Sequence, residues 1–158
     1  MPDATESGVP LTLGEMETSV SFMLRMAEVV AYEAVSSLQS DLDLSLPEQT
    51  VLVAVAMNPD ARQGAIADLL RIRWPNMTKL VARLEKRGLI SRTVSPDDRR
   101  AVTLAPTDEG REMALQVKAR LVSDDTKAIS MLSESERQEL ATLLRKVIGW
   151  PKPVPQKP

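Results

Sequence analysis

The sequence predicts a mainly α-helical fold that carries one small β-hairpin. Apolar residues recur at spacings of three and four over most of the 158 residues, which is typical of amphipathic helices. Only two short runs, Leu89–Ser95 and Arg100–Ala105, have the composition of strands, and a polar Pro-Asp-Asp turn lies between them. Capping residues, prolines and glycines mark where the helices begin and end.

The first two predicted helices lie before the Asn-Pro pair at 58–59. Apolar residues spaced by three and four predict one long helix over about residues 12–40. Ser45 and Glu48 have the spacing of a capping box, in which each side chain bonds to the other residue's backbone, so they predict the start of a second helix. The Asn-Pro pair ends that helix near Met57.

A short third helix and a basic fourth helix follow. Asp60 and Gln63 are spaced to cap the third helix. Pro75 suits the first turn of the fourth helix, which runs to Arg87. Gly88 then occupies the position after the helix where a left-handed backbone is favoured.

Two more helices complete the pattern. Thr107 predicts the start of a fifth helix of about 25 residues, because its hydroxyl can cap the helix and two acidic residues follow it. Ser133 and Glu136 form a further capping box for a last helix, which ends near Gly149. These helices and the first are long and apolar on one face, so we predict that they pack against a second copy of the chain.

The composition excludes several classes of site. Cys and His are absent, which rules out disulfides, the usual zinc sites, thiol redox sensing and catalysis by His or Cys. The chain has one Phe, one Tyr and two Trp, too few for an aromatic base-stacking platform. It has neither a membrane-length apolar run nor a signal-peptide pattern, so we predict a cytoplasmic protein without a cofactor or metal.

The fourth helix has two different faces. Four residues recur at helical spacing and should face the core, namely Met77, Leu80, Val81 and Leu84. The opposite face carries the polar and basic residues Asn76, Lys79, Arg83 and Lys86. A short helix followed by such a helix is typical of a helix-turn-helix, whose second helix enters the DNA major groove. Taken alone, this face is more typical of an ordinary solvated helix than of a DNA-binding one.

The hairpin adds a second basic element. Arg99 and Arg100 lie at its tip, beside Asp97 and Asp98. An arginine at a hairpin tip can enter a narrow minor groove, and an adjacent Asp can fix the direction of its guanidinium. An exposed Asp–Arg pair alone is worth little, but a basic helix followed by a basic hairpin is typical of a winged helix-turn-helix and predicts binding of double-stranded DNA.

Three segments resemble the MarR family, the multiple antibiotic resistance regulators. The run SPDDRRAVTLAPTDEG at 95–110 resembles the family's wing signature, with Asp98 and Arg100 at the D-x-R positions. Residues 77–92 and 44–56 resemble the end of its recognition helix and its second helix. The similarity covers about residues 12–149.

Two residues depart from the family's pattern. Pro106 replaces the usual Leu, and we expect it to shorten the second wing strand. Trp74 stands before Pro75 where a smaller polar residue is usual. It could pack under the wing or contact the DNA backbone, and we expect packing.

The resemblance implies a homodimer that binds a pseudo-palindromic operator, usually as a repressor, and that responds to a small phenolic or anionic ligand between its lobes. It assigns Arg100 as the minor-groove arginine and Asp98 as its orienting partner. Asn76, Thr78 and Lys79 correspond to recognition-helix contacts and could reach base edges. Arg83 also corresponds to a contact position, but like Lys86 it is better placed for phosphates. The resulting DNA-binding set is Asn76, Thr78, Lys79, Arg83, Lys86, Asp98, Arg99 and Arg100.

The predicted organisation has two lobes and two tails. They are an N-terminal tail at 1–11, a helical dimerisation lobe at 12–44 and 107–150, a winged helix-turn-helix lobe at 45–106 and a Pro-rich tail at 151–158.

A ligand site in the first helix is a further hypothesis. Arg25 lies among apolar residues and could hold a carboxylate or phenolate, with Met16, Phe22, Met23 and Met26 around it. A surface or inter-subunit ion pair is the alternative for Arg25, and dimer core is the alternative for the methionines.

Two other functions compete with DNA binding. A winged-helix module that contacts protein would have a neutral or apolar fourth-helix face, whereas this face is basic. An enzyme would have to use the acidic pairs of this chain for catalysis. These pairs lie at helix ends and turns, where a role as solvated caps accounts for their presence. The charge supports the DNA interpretation: residues 71–100 carry +6 and the remainder −8, within an overall charge of −2.

Overall fold

Six α-helices and a three-stranded antiparallel sheet make up the described part of the chain. The computed structural model describes residues 11–36, 42–94 and 102–150. A 3₁₀ helix, Gly14–Thr18, precedes the first α-helix. The elements are α1 (Val20–Ser36), α2 (Leu46–Met57), β1 (Ala61–Arg62), α3 (Gln63–Leu69), α4 (Trp74–Lys86), β2 (Ile90–Val94), β3 (Val102–Pro106), α5 (Asp108–Ala128) and α6 (Glu134–Ile148). The mainly α-helical winged fold is therefore confirmed.

Both predicted capping boxes are present. The backbone N–H of Ser45 donates to Oε2 of Glu48 at 2.8 Å, and that of Ser133 donates to Oε2 of Glu136 at 2.7 Å. Each box satisfies backbone groups that the first turn of a helix cannot pair internally. Gly88 follows α4 with a φ of +71°, as predicted for a residue that ends a helix.

The first helix differs from the prediction. It does not run unbroken from residue 12, because Ser19 is extended and separates the 3₁₀ helix from α1. The Ser19 hydroxyl accepts from the backbone N–H of Phe22, as a helix N-cap does. The Glu17 carboxylate instead closes the preceding turn by accepting from the backbone of Leu13 and the hydroxyl of Thr12. Apolar spacing alone could not reveal this break.

The sheet contains a strand that the sequence did not predict. The order is β1-β3-β2, and β1 pairs with β3 through Ala61 opposite Leu104. The predicted cap of α3 by Asp60 is wrong, because Asp60 has a φ of +63° and α3 begins after Arg62. The expected shortening by Pro106 is also wrong. Pro106 pairs with Ile90 as the last residue of β3, where its missing N–H interrupts no further ladder.

The core lies between α2, α3, α4, the sheet and the start of α5. Its fully buried side chains include Val51, Leu52, Val55, Ile66, Met77, Val81, Leu84, Leu89 and Leu104. In contrast, α6 buries none of its residues within the chain. Within the described ranges no helix is long and apolar enough to cross a bilayer.

The start of α5 is joined tightly to the end of α4. The Thr107 hydroxyl donates to the Gly88 carbonyl at 2.6 Å and accepts from the backbone N–H of Gly110 at 3.0 Å. The Thr107 N–H donates to the Leu89 carbonyl at 3.1 Å. A Cβ on Gly110 would lie 1.8 Å from that same carbonyl oxygen, so only glycine fits at this joint.

Candidate DNA-binding interface

The core fixes the orientation of α4. Met77, Val81 and Leu84 have no exposed surface, as the helical spacing predicted. Leu80, predicted for the same face, is only partly buried against the core. The opposite face of α4 is therefore turned to solvent, and Asn76, Lys79, Arg83 and Lys86 are all exposed on it. A helix anchored on one face and polar on the other has the form needed to lie in a major groove.

Three of these residues line one open depression of about 530 Å³. It lies between the start of α2 and the outer face of α4, and its lining residues are Pro47, Arg71, Ile72, Arg73, Asn76, Lys79, Leu80 and Arg83. Lys86 lies outside it, two helical turns along α4 from Lys79. Arg71 and Arg73 were not among the predicted contacts, although both lie in the connection between α3 and α4, where their basic character was the available signal.

Thr78 is partly engaged within its own helix. Its hydroxyl donates to the Trp74 carbonyl one turn earlier, at 3.1 Å. The Thr78 side chain is exposed, so its methyl group and oxygen lone pairs remain available to a partner.

Trp74 packs beside α3 rather than being buried. Its indole is 53% exposed, and a Cβ built on Gly64 would lie 3.8 Å from its Cζ3 atom. The described contact of Trp74 is with the start of α3, which is not the packing under the wing that the sequence predicted, and about half of the residue remains on the surface where α4 begins.

An acidic side chain stands beside Arg83. Oε1 of Glu48 lies 3.7 Å from Nη1 of Arg83, and Glu48 is almost fully buried. Burial raises the pKa of Glu48, but the hydrogen bonds from Ser45 and the charges of Arg83 and Arg87 together lower it below its usual value. Glu48 is therefore a carboxylate at neutral pH.

Three basic residues of this region are used inside the fold. Arg87 donates to the Asp43 and Leu42 carbonyls and so ties the end of α4 to the segment before α2. Arg92 pairs with Glu85 at 2.5 Å. Arg71 donates to the Ile148 carbonyl at the end of α6, also at 2.5 Å. Three of the basic side chains counted from the sequence are therefore already engaged within the chain, so fewer are free to contact a partner.

The predicted wing contacts Asp98, Arg99 and Arg100 lie outside the described residues. The ladder that leads to them is described as far as the pair Val94 and Val102. The two strands therefore converge on the segment 95–101, which carries these residues.

The predicted ligand residues of the first helix lie mostly on the surface. Nη1 of Arg25 pairs with Oε2 of Glu28 at 2.8 Å in an exposed i,i+3 contact. Met16, Met23 and Met26 are about half exposed, and Phe22 is partly buried. A cavity of about 620 Å³ between α1 and α6 is lined by other residues of α1, including Leu24, Ala27 and Ala31. Among the described residues, no acidic cluster could hold a metal ion.

Known proteins share this arrangement. The sequence profile of the MarR family matches residues 44–102. A candidate transcriptional regulatory protein for the hcr operon of Thauera aromatica is 28% identical over 138 residues, which are 87% of this chain and 83% of that protein.

Solved structures show the same similarity. The transcriptional repressor CouR bound to a 23-mer DNA duplex has a TM-score of 0.80 and 30% identity, over 89% of this chain and 99% of that one. CouR from Rhodococcus jostii RHA1 bound to p-coumaroyl-CoA has a TM-score of 0.75 and 25% identity over the same shares. The profile match covers the helix-turn-helix and reaches the wing, and the similarity to CouR extends over most of the chain. The chain belongs to the MarR family of DNA-binding transcriptional regulators, and it is not an enzyme.

Proposed function

We propose that this chain is a homodimeric repressor that binds a pseudo-palindromic operator and is controlled by a small organic ligand. The observation that carries this proposal is the exposed basic face of α4, which is held outward by three fully buried side chains on its other face. The similarity to CouR, which is bound to DNA in its solved structure, supports the same use of this face.

The DNA contacts proposed here are those predicted from the sequence. Asn76, Thr78 and Lys79 read base edges near the start of α4, while Arg83 and Lys86 contact phosphates. At the wing, Arg100 enters the minor groove with Asp98 as its orienting partner, and Arg99 lies beside them. The exposure of the five α4 residues supports this assignment.

The apolar surface of the helical lobe supports the dimer. Several large apolar residues on α1 and α6 are 46% to 71% exposed in the single chain, namely Val20, Met23, Val30, Leu143 and Val147. Contiguous apolar surface of this kind marks an association site. We assign residues 12–44 and 107–150 to the dimerisation lobe and 45–106 to the DNA-binding lobe.

The proposed effector is a phenolic or anionic compound. CouR of Rhodococcus jostii RHA1 is bound to p-coumaroyl-CoA in its solved structure, and this supports an aromatic acyl ligand here. Arg25 is the proposed cation, with Met16, Phe22, Met23 and Met26 as its apolar surroundings. Its pair with Glu28 is solvent-exposed and weak, so a ligand carboxylate can replace that partner.

Selection of bound fragments from the organism's own genomic DNA tests this function. We expect a small set of sites with inverted half-sites spaced by about one DNA turn, on the order of 34 Å. Their affinity should fall steeply with added salt, because phosphate contacts release counterions. Neighbouring genes would indicate the ligand's chemistry, and a reporter behind the selected site would be repressed by the protein. Failure to enrich any sequence, or binding that is insensitive to salt, would contradict the proposal.

A further inference from the structure

The two oxygens of Glu48 have different partners. Oε2 accepts from the backbone N–H of Ser45 at 2.8 Å and from the Ser45 hydroxyl at 2.5 Å, which completes the capping box of α2. Oε1 faces Nη1 of Arg83 on α4 at 3.7 Å. The cap thus fixes the carboxylate, and the fixed carboxylate leaves one oxygen for the guanidinium.

The two partners differ sharply in exposure. The Glu48 side chain is 11% exposed, whereas that of Arg83 is 67% exposed. An exposed arginine side chain samples many rotamers. A buried, immobile carboxylate beside it favours those rotamers in which the guanidinium stays close to the carboxylate. At 3.7 Å the contact is an ion pair without a tight hydrogen bond, so the donors of Arg83 remain free for a second partner.

The position of Arg83 identifies that second partner. Arg83 lines the basic depression between α2 and α4 together with Pro47 from the first turn of α2 and with Arg71 and Arg73. A concave surface with Arg73, Arg83 and a helix N-terminus suits an anionic phosphate better than a base edge.

We infer that Glu48 is a positioning residue that holds Arg83 ready for one phosphate of the operator backbone. This inference rests on the proposed DNA contacts and adds a residue that lies outside them. Holding the guanidinium in place before binding removes part of the cost of ordering a flexible side chain at an interface. Because phosphate contacts set the register of a protein on DNA, the pair also fixes how α4 enters the groove.

The variant Glu48→Gln separates the two roles of the residue. Glutamine at this position also completes a capping box, so α2 keeps its start, while the charge that attracts Arg83 is lost. We expect operator affinity to fall roughly three- to tenfold in the Arg83 background, the range expected for reordering one long side chain. In an Arg83→Ala background, Glu48→Gln should not weaken binding, because there is no guanidinium to orient.

Two matched variants control for charge and for the cap. Glu85→Gln removes one negative charge from α4 at a carboxylate that pairs with Arg92, and it should not weaken operator binding. Ser45→Ala removes a cap hydroxyl but keeps the Glu48 carboxylate. It should lower stability, and it should lower operator affinity less than Glu48→Gln does, because the backbone N–H of Ser45 still holds the charged carboxylate.

A scan of neutral methylphosphonates along the operator locates the contact. In the parent protein one such replacement per half-site should weaken binding, and the same replacement should have no further effect on the Arg83→Ala variant. In Glu48→Gln, the methylphosphonate at that phosphate should weaken binding less than it does in the parent, and replacements at other phosphates should have the parental effect.

The outcomes separate this inference from the proposed function. If the parent protein selects no DNA, the proposed function fails and this inference fails with it. The positioning role is overturned if the parent binds the operator but Arg83→Ala does not lower its affinity. It is also overturned if Glu48→Gln changes operator affinity equally with and without Arg83. In either case the proposed function stands.

Discussion

Gly110 shows how a single residue fixes the junction between α5 and the end of α4. A methyl group there would overlap the Leu89 carbonyl, and backbone cannot move aside as a side-chain tip can. We expect Gly110→Ala to lower the free energy of unfolding by about 3 kcal/mol, despite the better helix propensity of alanine. Urea unfolding at matched protein concentration measures this change.

Gly64→Ala is the control for that measurement. Its Cβ would meet only the edge of Trp74, at an ordinary contact distance of 3.8 Å, and it lies inside α3. We expect this variant to be as stable as the parent or slightly more stable. Equal losses for both glycine variants would contradict the clash at Gly110.

The capped carboxylate of Glu48 makes stability depend on pH. Its pKa is below the usual value in the folded chain, so its contribution is present above the ordinary carboxyl pKa and is lost as pH falls through the lowered one. We expect Glu48→Gln to be less stable than the parent near neutral pH, with a difference that shrinks between about pH 5 and pH 3. Urea unfolding at several pH values gives the two curves, and a constant gap between them would contradict this prediction.

Elements with strong local signals were predictable from the sequence. The helix α4 was predictable, because Pro75 and Gly88 mark its ends and three buried residues form its inner face. The strand β1 was not predictable, because two residues are too few to show a pattern and their partners, Leu104 and Thr103, are distant in the sequence. For the candidate site, the exposed face of α4 was visible as a pattern, but the ion pair between Glu48 and Arg83 joins residues 35 positions apart. No local rule reveals such a contact.

The wing should act through Arg100. We expect Arg100→Ala to weaken operator binding by roughly tenfold or more, because a minor-groove arginine uses the enhanced negative potential there. Fluorescence anisotropy with a labelled operator at fixed salt measures the loss. Arg92→Ala removes the same charge from β2 but from a residue that pairs with Glu85, so its effect should be far smaller. Parental affinity in the Arg100 variant would show that the wing assignment is wrong.

At the scale of the whole molecule, we expect the proposed dimer to depend on the apolar face of α6. Leu143 is 50% exposed in the single chain. A glutamate there would place a charge in the proposed subunit interface, where burial without a partner is costly. We expect Leu143→Glu to form monomers in light scattering and to lose operator binding, since one half-site alone binds weakly.

A second charge on the same helix controls for the change in net charge. Thr142 is exposed, and its hydroxyl bonds to the Gln138 carbonyl within α6. By helical spacing it lies away from the apolar face, so Thr142→Glu should leave the dimer intact. If the Leu143→Glu variant is still a dimer, α6 is not part of the subunit interface.

The joint at Thr107 and Gly110 gives α5 the mechanics of a lever. With a rise of about 1.5 Å per residue, its 21 residues span roughly 30 Å. A tilt of about 10° at one end therefore moves the other by about 5 Å over that length. Two hydrogen bonds from Thr107, to the Gly88 and Leu89 carbonyls, and the close approach of Gly110 to the Leu89 carbonyl tie the start of α5 to the end of α4. We expect such a tilt to be passed to α4, and in the proposed dimer to change the distance between the two α4 helices.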